Sequence, residues 1–364
     1  MPRFANETGV SRAETGQRFV KPLLLAGKLI ISAACFWLVL RRIDVSEIVR
    51  SLPTFDLRWG AFAVVLIMAH IPLLALRLRA IVQALTARPG RLTYFAANAV
   101  MAIYMAFAQV VPNVVGEGIR AWMLTHFGCE WRAGLTSVTI DRAVGVAVLV
   151  AFTFVILLLP SALVALSGYR DFVLFVFGAV LIIGALALVS TPLIAPPLQG
   201  WRYSYWIGVL AADAHRALLG RQAVKIFGAA CLIHALTIVA VWSVGRAQGL
   251  SLSAFDCAVL FTVMVGVVLV PISVGGWGLR EFAVVSLLGA HGLAPEPALL
   301  FSVCFGLVCV LGALPGAVVW LVYPLPVKVS AACLKELSST WVRQIAVSTF
   351  GSARPMSARR KCAP

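Results

Sequence analysis

Pro112-Asn113-Val114-Val115-Gly116-Glu117-Gly118-Ile119-Arg120 and Pro271-Ile272-Ser273-Val274-Gly275-Gly276-Trp277-Gly278-Leu279-Arg280-Glu281 each interrupt an apolar run of membrane depth. The runs that lead into them span 94–111 and 254–270. Proline removes a backbone donor and glycine frees the chain to turn, so both helices break where they reach these clusters. Each cluster opens on Val-Pro, carries a glycine pair and ends on an arginine, with one extra residue between Pro and Arg in the second. The return limbs, a mixed stretch to Trp131 and a short apolar one to Gly289, are too weak to read as full spans.

Composition sets the surroundings of these breaks. Of 364 residues, 61% are hydrophobic and 12% charged, and the mean hydropathy is +0.97. A soluble domain carries about a quarter charged residues. This chain cannot cover a water-facing surface, which excludes a soluble enzyme, a disordered chain and a disulfide-stapled secreted domain. Long apolar runs lie at 22–40 and near 59–76, 136–159, 172–195, 226–245 and 298–322. A span needs about 20 residues, so these six read as full spans. The first is too long for a signal-peptide core and lacks a cleavage site.

The net charge of +16 sits in loops and tails. Arg3, Arg12, Arg18 and Lys21 precede the first span, and Arg77, Arg79, Arg88 and Arg91 follow the second. Arg202, Arg216, Arg221 and Lys225 crowd a later loop, and the C-terminal tail is also basic. The positive-inside rule places all of these on the cytoplasmic side, facing anionic headgroups rather than nucleic acid. The placements agree when each broken region enters and leaves on one side, the first from inside and the second from outside. The expectation is an all-α polytopic membrane protein with six full spans, two re-entrant broken-helix hairpins and an inverted-topology repeat. Scoring every limb as a span would give eight or more. Both termini are expected in the cytoplasm, and the membrane is expected to be the bacterial inner one.

Along the chain this gives a basic tail at 1–20, a membrane domain at 21–325 with repeat halves at 58–195 and 226–322, an amphipathic surface helix at 326–350 and a disordered basic tail at 351–364. The helix places Leu334, Leu337, Trp341 and Ile345 on one face. Trp201, Tyr203, Tyr205 and Trp206 read as an interfacial aromatic belt. The eight cysteines show no metal or disulfide spacing. His70, His234 and His291 are isolated and read as core or loop histidines rather than metal ligands. No nucleotide-binding motif and no cofactor motif is present.

Charge at membrane depth costs about 2.5–3.5 kcal/mol per residue on the insertion scale. Glu117, Arg120, Arg280 and Glu281 stand beside the breaks, where the glycines expose backbone N–H groups at the start of a returning helix. Such N–H groups, a positive helix end and an adjacent Arg make a phosphate site. Glu117 and Glu281 are expected to hold the arginines when no ligand is bound. Gly116, Gly118, Gly275, Gly276 and Gly278 would permit close backbone approach, with Pro112 and Pro271 as hinges. Asn113 and Gln109 would serve the site or satisfy freed backbone groups. Asp141 and Arg142 either stand at the headgroups as an ordinary span-start pair, or Asp141 faces inward to pair with Arg120 or Arg280. Arg77 and Arg79 are expected to snorkel to cytoplasmic phosphates.

The ordered blocks Pro112–Arg120, Asp141–Gly145 and Pro271–Glu281 resemble the lysylphosphatidylglycerol synthase transmembrane region, also called the flippase-like domain. The resemblance covers about residues 20–325. One departure is Val115 before Gly116, where many members carry a second glycine. Bifunctional members add a soluble domain that transfers an aminoacyl group to phosphatidylglycerol. Only about 40 residues follow the last span here, so the resemblance implies the lipid-translocating part alone. The expected activity is movement of a phosphate-bearing lipid between leaflets, with Arg120 and Arg280 binding the phosphate from opposite sides. The alternatives are an integral membrane enzyme acting on a lipid phosphate or lipid-linked sugar, and an accessory subunit of a lipid-modifying partner enzyme.

Overall fold

The computed structural model describes residues 55–86, 92–110, 113–158, 170–200, 204–269 and 277–322. The run at 22–40, residues 111–112 and 270–276 at the two Pro-Gly clusters, and the amphipathic stretch at 326–350 lie outside these residues, whereas the first cluster is helical from Asn113 onward. The described chain forms twelve helices: α1 (Leu57–Met68), α2 (His70–Leu85), α3 (Tyr94–Val110), α4 (Asn113–His126), α5 (Trp131–Leu158), α6 (Arg170–Val189), α7 (Thr191–Gly200), α8 (Tyr205–Leu218), α9 (Ala223–Ala247), α10 (Ala254–Leu269), α11 (Leu279–Ala290) and α12 (Pro295–Val322).

Helices α1 and α2 form one membrane-length stretch, Leu57–Leu85. Its one-residue interruption at Ala69 precedes Pro72, which cannot donate to the Met68 carbonyl one turn back. With it, α5, α6, α9 and α12 are long and apolar enough to cross a bilayer. The helices leading into the breaks, α3 and α10, are apolar but shorter. The protein is therefore an all-α polytopic membrane protein.

The run expected at 172–195 is not one helix. It stops at Val189, and α7 starts at Thr191, with Pro192 in its first turn and Pro196 and Pro197 inside it. Proline fits a first turn and disrupts a helix interior. The basic loop expected at 202–225 contains α8, which buries Val209, Asp213 and Ala217 while exposing Tyr205 and Trp206. Helix α6 buries none of its residues and presents apolar side chains all round, as a lipid-facing helix does.

Several helix contacts occur twice in the described chain. Helix α2 lies antiparallel to α9: the Asp56 amide before α1 donates to the Ala247 carbonyl at the end of α9 at 2.8 Å, while Ala80 and Ile81 pack near Ile226 and Ala230 at the other end. Helix α3 packs on α12 as α10 packs on α5, and α4 packs on α5 as α11 packs on α12. Helices α3 and α4 fold back on each other, bringing Leu92 and Ala96 into one apolar cluster with Leu124 and Cys129. Helices α10 and α11 do likewise, so that 249–256 and 287–293 line a common cavity of about 340 Å³.

Small residues allow the closest approaches. A Cβ on Gly316 of α12 would collide with the Ala102 carbonyl of α3. A Cβ on Gly312 would stand 2.6 Å from Ile67 of α1. Gly316→Ala is expected to destabilise the protein by about 1–3 kcal/mol through overpacking. Gly228→Ala, where a Cβ meets nothing within 4 Å, is expected to be neutral or mildly stabilising. Thermal unfolding of the purified protein in detergent compares the two.

Candidate functional site

Glu117 and Arg120 stand one turn apart on α4, so their side chains share a face. That face meets Tyr104 on α3 and Asp141 and Arg142 on α5. Arg77 reaches the same place from the middle of α2. Five charged groups and one phenol thus converge from four directions.

Asp141 is the hub. Its Oδ1 accepts from Arg77 Nε at 2.6 Å, and its Oδ2 accepts from Arg120 Nη1 at 2.7 Å. Asp141 is 2% exposed and Arg120 1%. A charge at that depth is tolerated only when paired. Arg120 Nη2 lies 2.7 Å from Glu117 Oε2 and donates to the Val138 carbonyl at 3.3 Å. The guanidinium also lies over the Tyr104 ring, 4.7 Å from its centroid. The Tyr104 hydroxyl donates to Glu117 Oε1 at 2.8 Å. Arg142 donates from Nε to Glu117 Oε1 and from Nη2 to the Tyr104 hydroxyl.

The expectation that Arg77 snorkels to the membrane surface is overturned. Its side chain is buried on Asp141 because the helix continues past it to Leu85 rather than ending at 76. Asp141 takes the inward-facing role and pairs with Arg120 and Arg77, not with Arg280. Three guanidiniums meet two carboxylates, leaving the cluster with one unit of positive charge in excess.

Arg77, Tyr104, Arg120, Asp141 and Arg142 line a cavity of about 180 Å³. Its remaining wall includes Ile233 and His234 of α9 and Val265 of α10. The cavity therefore lies between helices α2–α5 and helices α9 and α10. Arg142 is its least buried cation, with 39% of the side chain exposed. His234 Nε2 lies 2.9 Å from the Gly145 carbonyl, joining α9 to α5. Nearby, Thr237 Oγ1 and His70 Nε2 lie 3.2 Å apart, so His70 is a partnered core histidine as expected.

The second cluster is built differently. Gly278 precedes α11 with φ +83°, a conformation that suits glycine. Its amide donates to Glu281 Oε2 at 2.6 Å. Glu281 Oε1 accepts from Arg280 Nη2 at 2.6 Å, from Arg280 Nε at 3.1 Å and from Ser302 Oγ at 3.3 Å. The Arg280 guanidinium lies 4.7 Å from the centroid of the Trp277 ring. A Cβ on Gly306 would collide with that guanidinium. This pair is charge-neutral and enclosed, and Arg280 does not line the arginine cavity.

Of the other residues singled out, Gly116 is buried and Gly118 half-buried, with nothing within 4 Å of where a Gly118 Cβ would sit. Asn113 begins α4. Pro112, Pro271, Gly275 and Gly276 lie outside the described residues. Sequence reasoning missed Arg77, Tyr104 and His234 as cavity residues. For Arg77 a signal existed in the apolar residues Ala80, Ile81, Val82 and Leu85, which continue the helix beyond it. Tyr104 and His234 sit singly in apolar runs and carry no such signal. Among the described residues, no three of His, Cys, Asp and Glu come together to hold a metal ion.

No curated protein and no solved structure matches the chain. The family model described as the lysylphosphatidylglycerol synthase TM region matches residues 25–316. That stretch holds both clusters and every described helix through the closely packed part of α12. The protein belongs to the lysylphosphatidylglycerol synthase transmembrane-region family.

Proposed function

We propose that this protein is a lipid translocase that moves a phosphate-bearing headgroup between leaflets through the arginine cavity. One observation carries the reading: a buried cluster with one excess positive charge, lining a cavity at the meeting of two similarly packed halves. A phosphodiester monoanion would neutralise that excess. Water-excluded guanidinium groups bind phosphate through charge-assisted hydrogen bonds. Membership of a family concerned with a lipid synthase supports a lipid as the carrier of the phosphate.

Glu117 is the carboxylate that a phosphate would displace. Both Asp141 oxygens are hydrogen-bonded, whereas Glu117 Oε2 contacts Arg120 without hydrogen-bond geometry. The Glu117 side chain is also the more exposed, at 15% against 3% for Asp141. The ligand would arrive beside Arg142, take the place of Glu117 on Arg142 and Arg120, and leave Asp141 holding the frame.

The antiparallel setting of α2 and α9, the matching helix contacts and the two folded-back helix pairs support an inverted repeat with re-entrant hairpins. Rocking of one half against the other about the α2–α9 contact would switch the side from which the cavity opens. In this reading Arg280 and Glu281 form a closed structural counterpart of the first cluster rather than a second phosphate seat. The protein would lie in the bacterial inner membrane with both termini in the cytoplasm, as the basic loops indicate.

Reconstitution into liposomes with labelled phospholipids tests the reading. Wild type is expected to move the label between leaflets without changing the lipid's mass, and Arg142→Gln to slow the movement at least about tenfold at unchanged thermal stability. A new lipid product would identify an enzyme instead. Equal rates for empty, wild-type and variant vesicles would overturn the translocase reading. Asp141→Asn is expected to lose about 3–5 kcal/mol of stability by leaving Arg77 and Arg120 buried without a counter-charge. Denaturation in detergent checks that loss.

A further inference from the structure

Among the described polar side chains lining the arginine cavity, His234 alone stands outside the network of ion pairs and hydrogen bonds that joins Arg77, Tyr104, Arg120, Asp141 and Arg142. It is 8% exposed. Its Nε2 meets the Gly145 carbonyl at 2.9 Å. A carbonyl only accepts, so Nε2 carries the hydrogen, and in the neutral ring Nδ1 is then an acceptor. Nδ1 is buried and has no hydrogen-bond partner among the described residues. The ring is flanked by Phe152, with centroids 6.2 Å apart, and by Phe261 at 5.4 Å. The Gly145 bond and these two rings fix its orientation.

A buried acceptor held in place without a donor is costly to the empty protein and selective toward a ligand that supplies one. The same cavity is lined by the guanidinium groups of Arg77, Arg120 and Arg142, which by their chemistry are hydrogen-bond donors to phosphate. We infer that His234 is a specificity-determining residue that accepts a hydrogen bond from a hydroxyl or ammonium group on the headgroup, while Arg120 and Arg142 hold its phosphate. The inference rests on the anion-site reading above. It selects phosphodiesters with a small donor-bearing substituent. It disfavours those ending in an alkyl group or a quaternary ammonium, which have nothing to donate.

The test is a binding measurement on the full-length protein in phosphatidylcholine nanodiscs. Phosphatidylglycerol is compared with phosphatidylmethanol, which has the same charge and no free hydroxyl. The water-soluble diester glycerophosphoglycerol and its methyl analogue form a parallel pair. Wild type is expected to prefer phosphatidylglycerol about tenfold, the worth of one hydrogen bond. His234→Phe, which keeps a ring between the two phenylalanines, is expected to abolish that preference while binding phosphatidylmethanol unchanged. The wild-type comparison decides alone if the variant does not fold. Equal wild-type binding of the two anionic lipids would overturn the role of His234 and leave the anion site standing. Binding of neither lipid nor soluble diester would remove the anion site itself. The same preference among the soluble diesters alone would uphold the role of His234 and assign the ligand to the aqueous phase.

Discussion

Asp141 holds two arginines at a depth where none of the three could remain alone. A buried carboxylate and a buried guanidinium each lose several kcal/mol of hydration, and only close pairing restores it. Because its partners come from α2 and α4 while Asp141 belongs to α5, that pairing fixes three helices against one another. It also positions Arg120 under the Tyr104 ring and sets Glu117 facing Arg142. The cavity and its excess charge both follow from this arrangement. A hub carboxylate with two cationic partners leaves the neighbouring carboxylate unable to neutralise what remains.

The two arginine clusters share a pattern of Pro, Gly and Arg, and their carboxylates decide how they differ. Glu117 precedes Arg120 by three residues, which places both on one face of α4 and turns the acid toward other helices. Glu281 follows Arg280 directly and stands three residues after Gly278, where its second oxygen reaches the free amide at the start of α11. That geometry closes the second cluster upon itself, with Trp277 and Gly306 packed around the guanidinium. The first cluster lines a cavity whose remaining wall includes residues of α9 and α10. A pair of similar clusters thus gives one cavity lined by guanidinium groups and one enclosed, charge-neutral counterpart.

Much of the architecture was legible because membrane spans announce themselves by length and apolarity. The runs near 59–76, 136–159, 226–245 and 298–322 correspond to the long helices, and 94–111 and 254–270 to the shorter helices Tyr94–Val110 and Ala254–Leu269. Pro192 marked the first turn of α7, just after the run at 172–195 divides at Ser190, but apolarity masked it. The candidate site was legible in part. Arg120, Glu117, Asp141 and Arg142 stood out because charge is rare in such a chain. Which of them meet was not legible, since pairing across α2, α4 and α5 is a property of packing. Arg77 was misjudged for that reason: an arginine near the end of an apolar run looks the same whether it reaches outward to phosphate or inward to Asp141. His234 was invisible as a cavity residue, because an isolated histidine in a span acquires meaning only from what surrounds it.

The central claim is that a lipid phosphate enters the cavity between the halves, and photocrosslinking addresses it most directly. A phospholipid with a diazirine on its headgroup would be incorporated with the protein in a bilayer, illuminated, and the adducts mapped by mass spectrometry. The account predicts adducts beside Arg142 on α5 and beside His234 on α9, competed away by unlabelled phospholipid. Adducts confined to outward-facing helices such as α6, with none in the cavity, would contradict it.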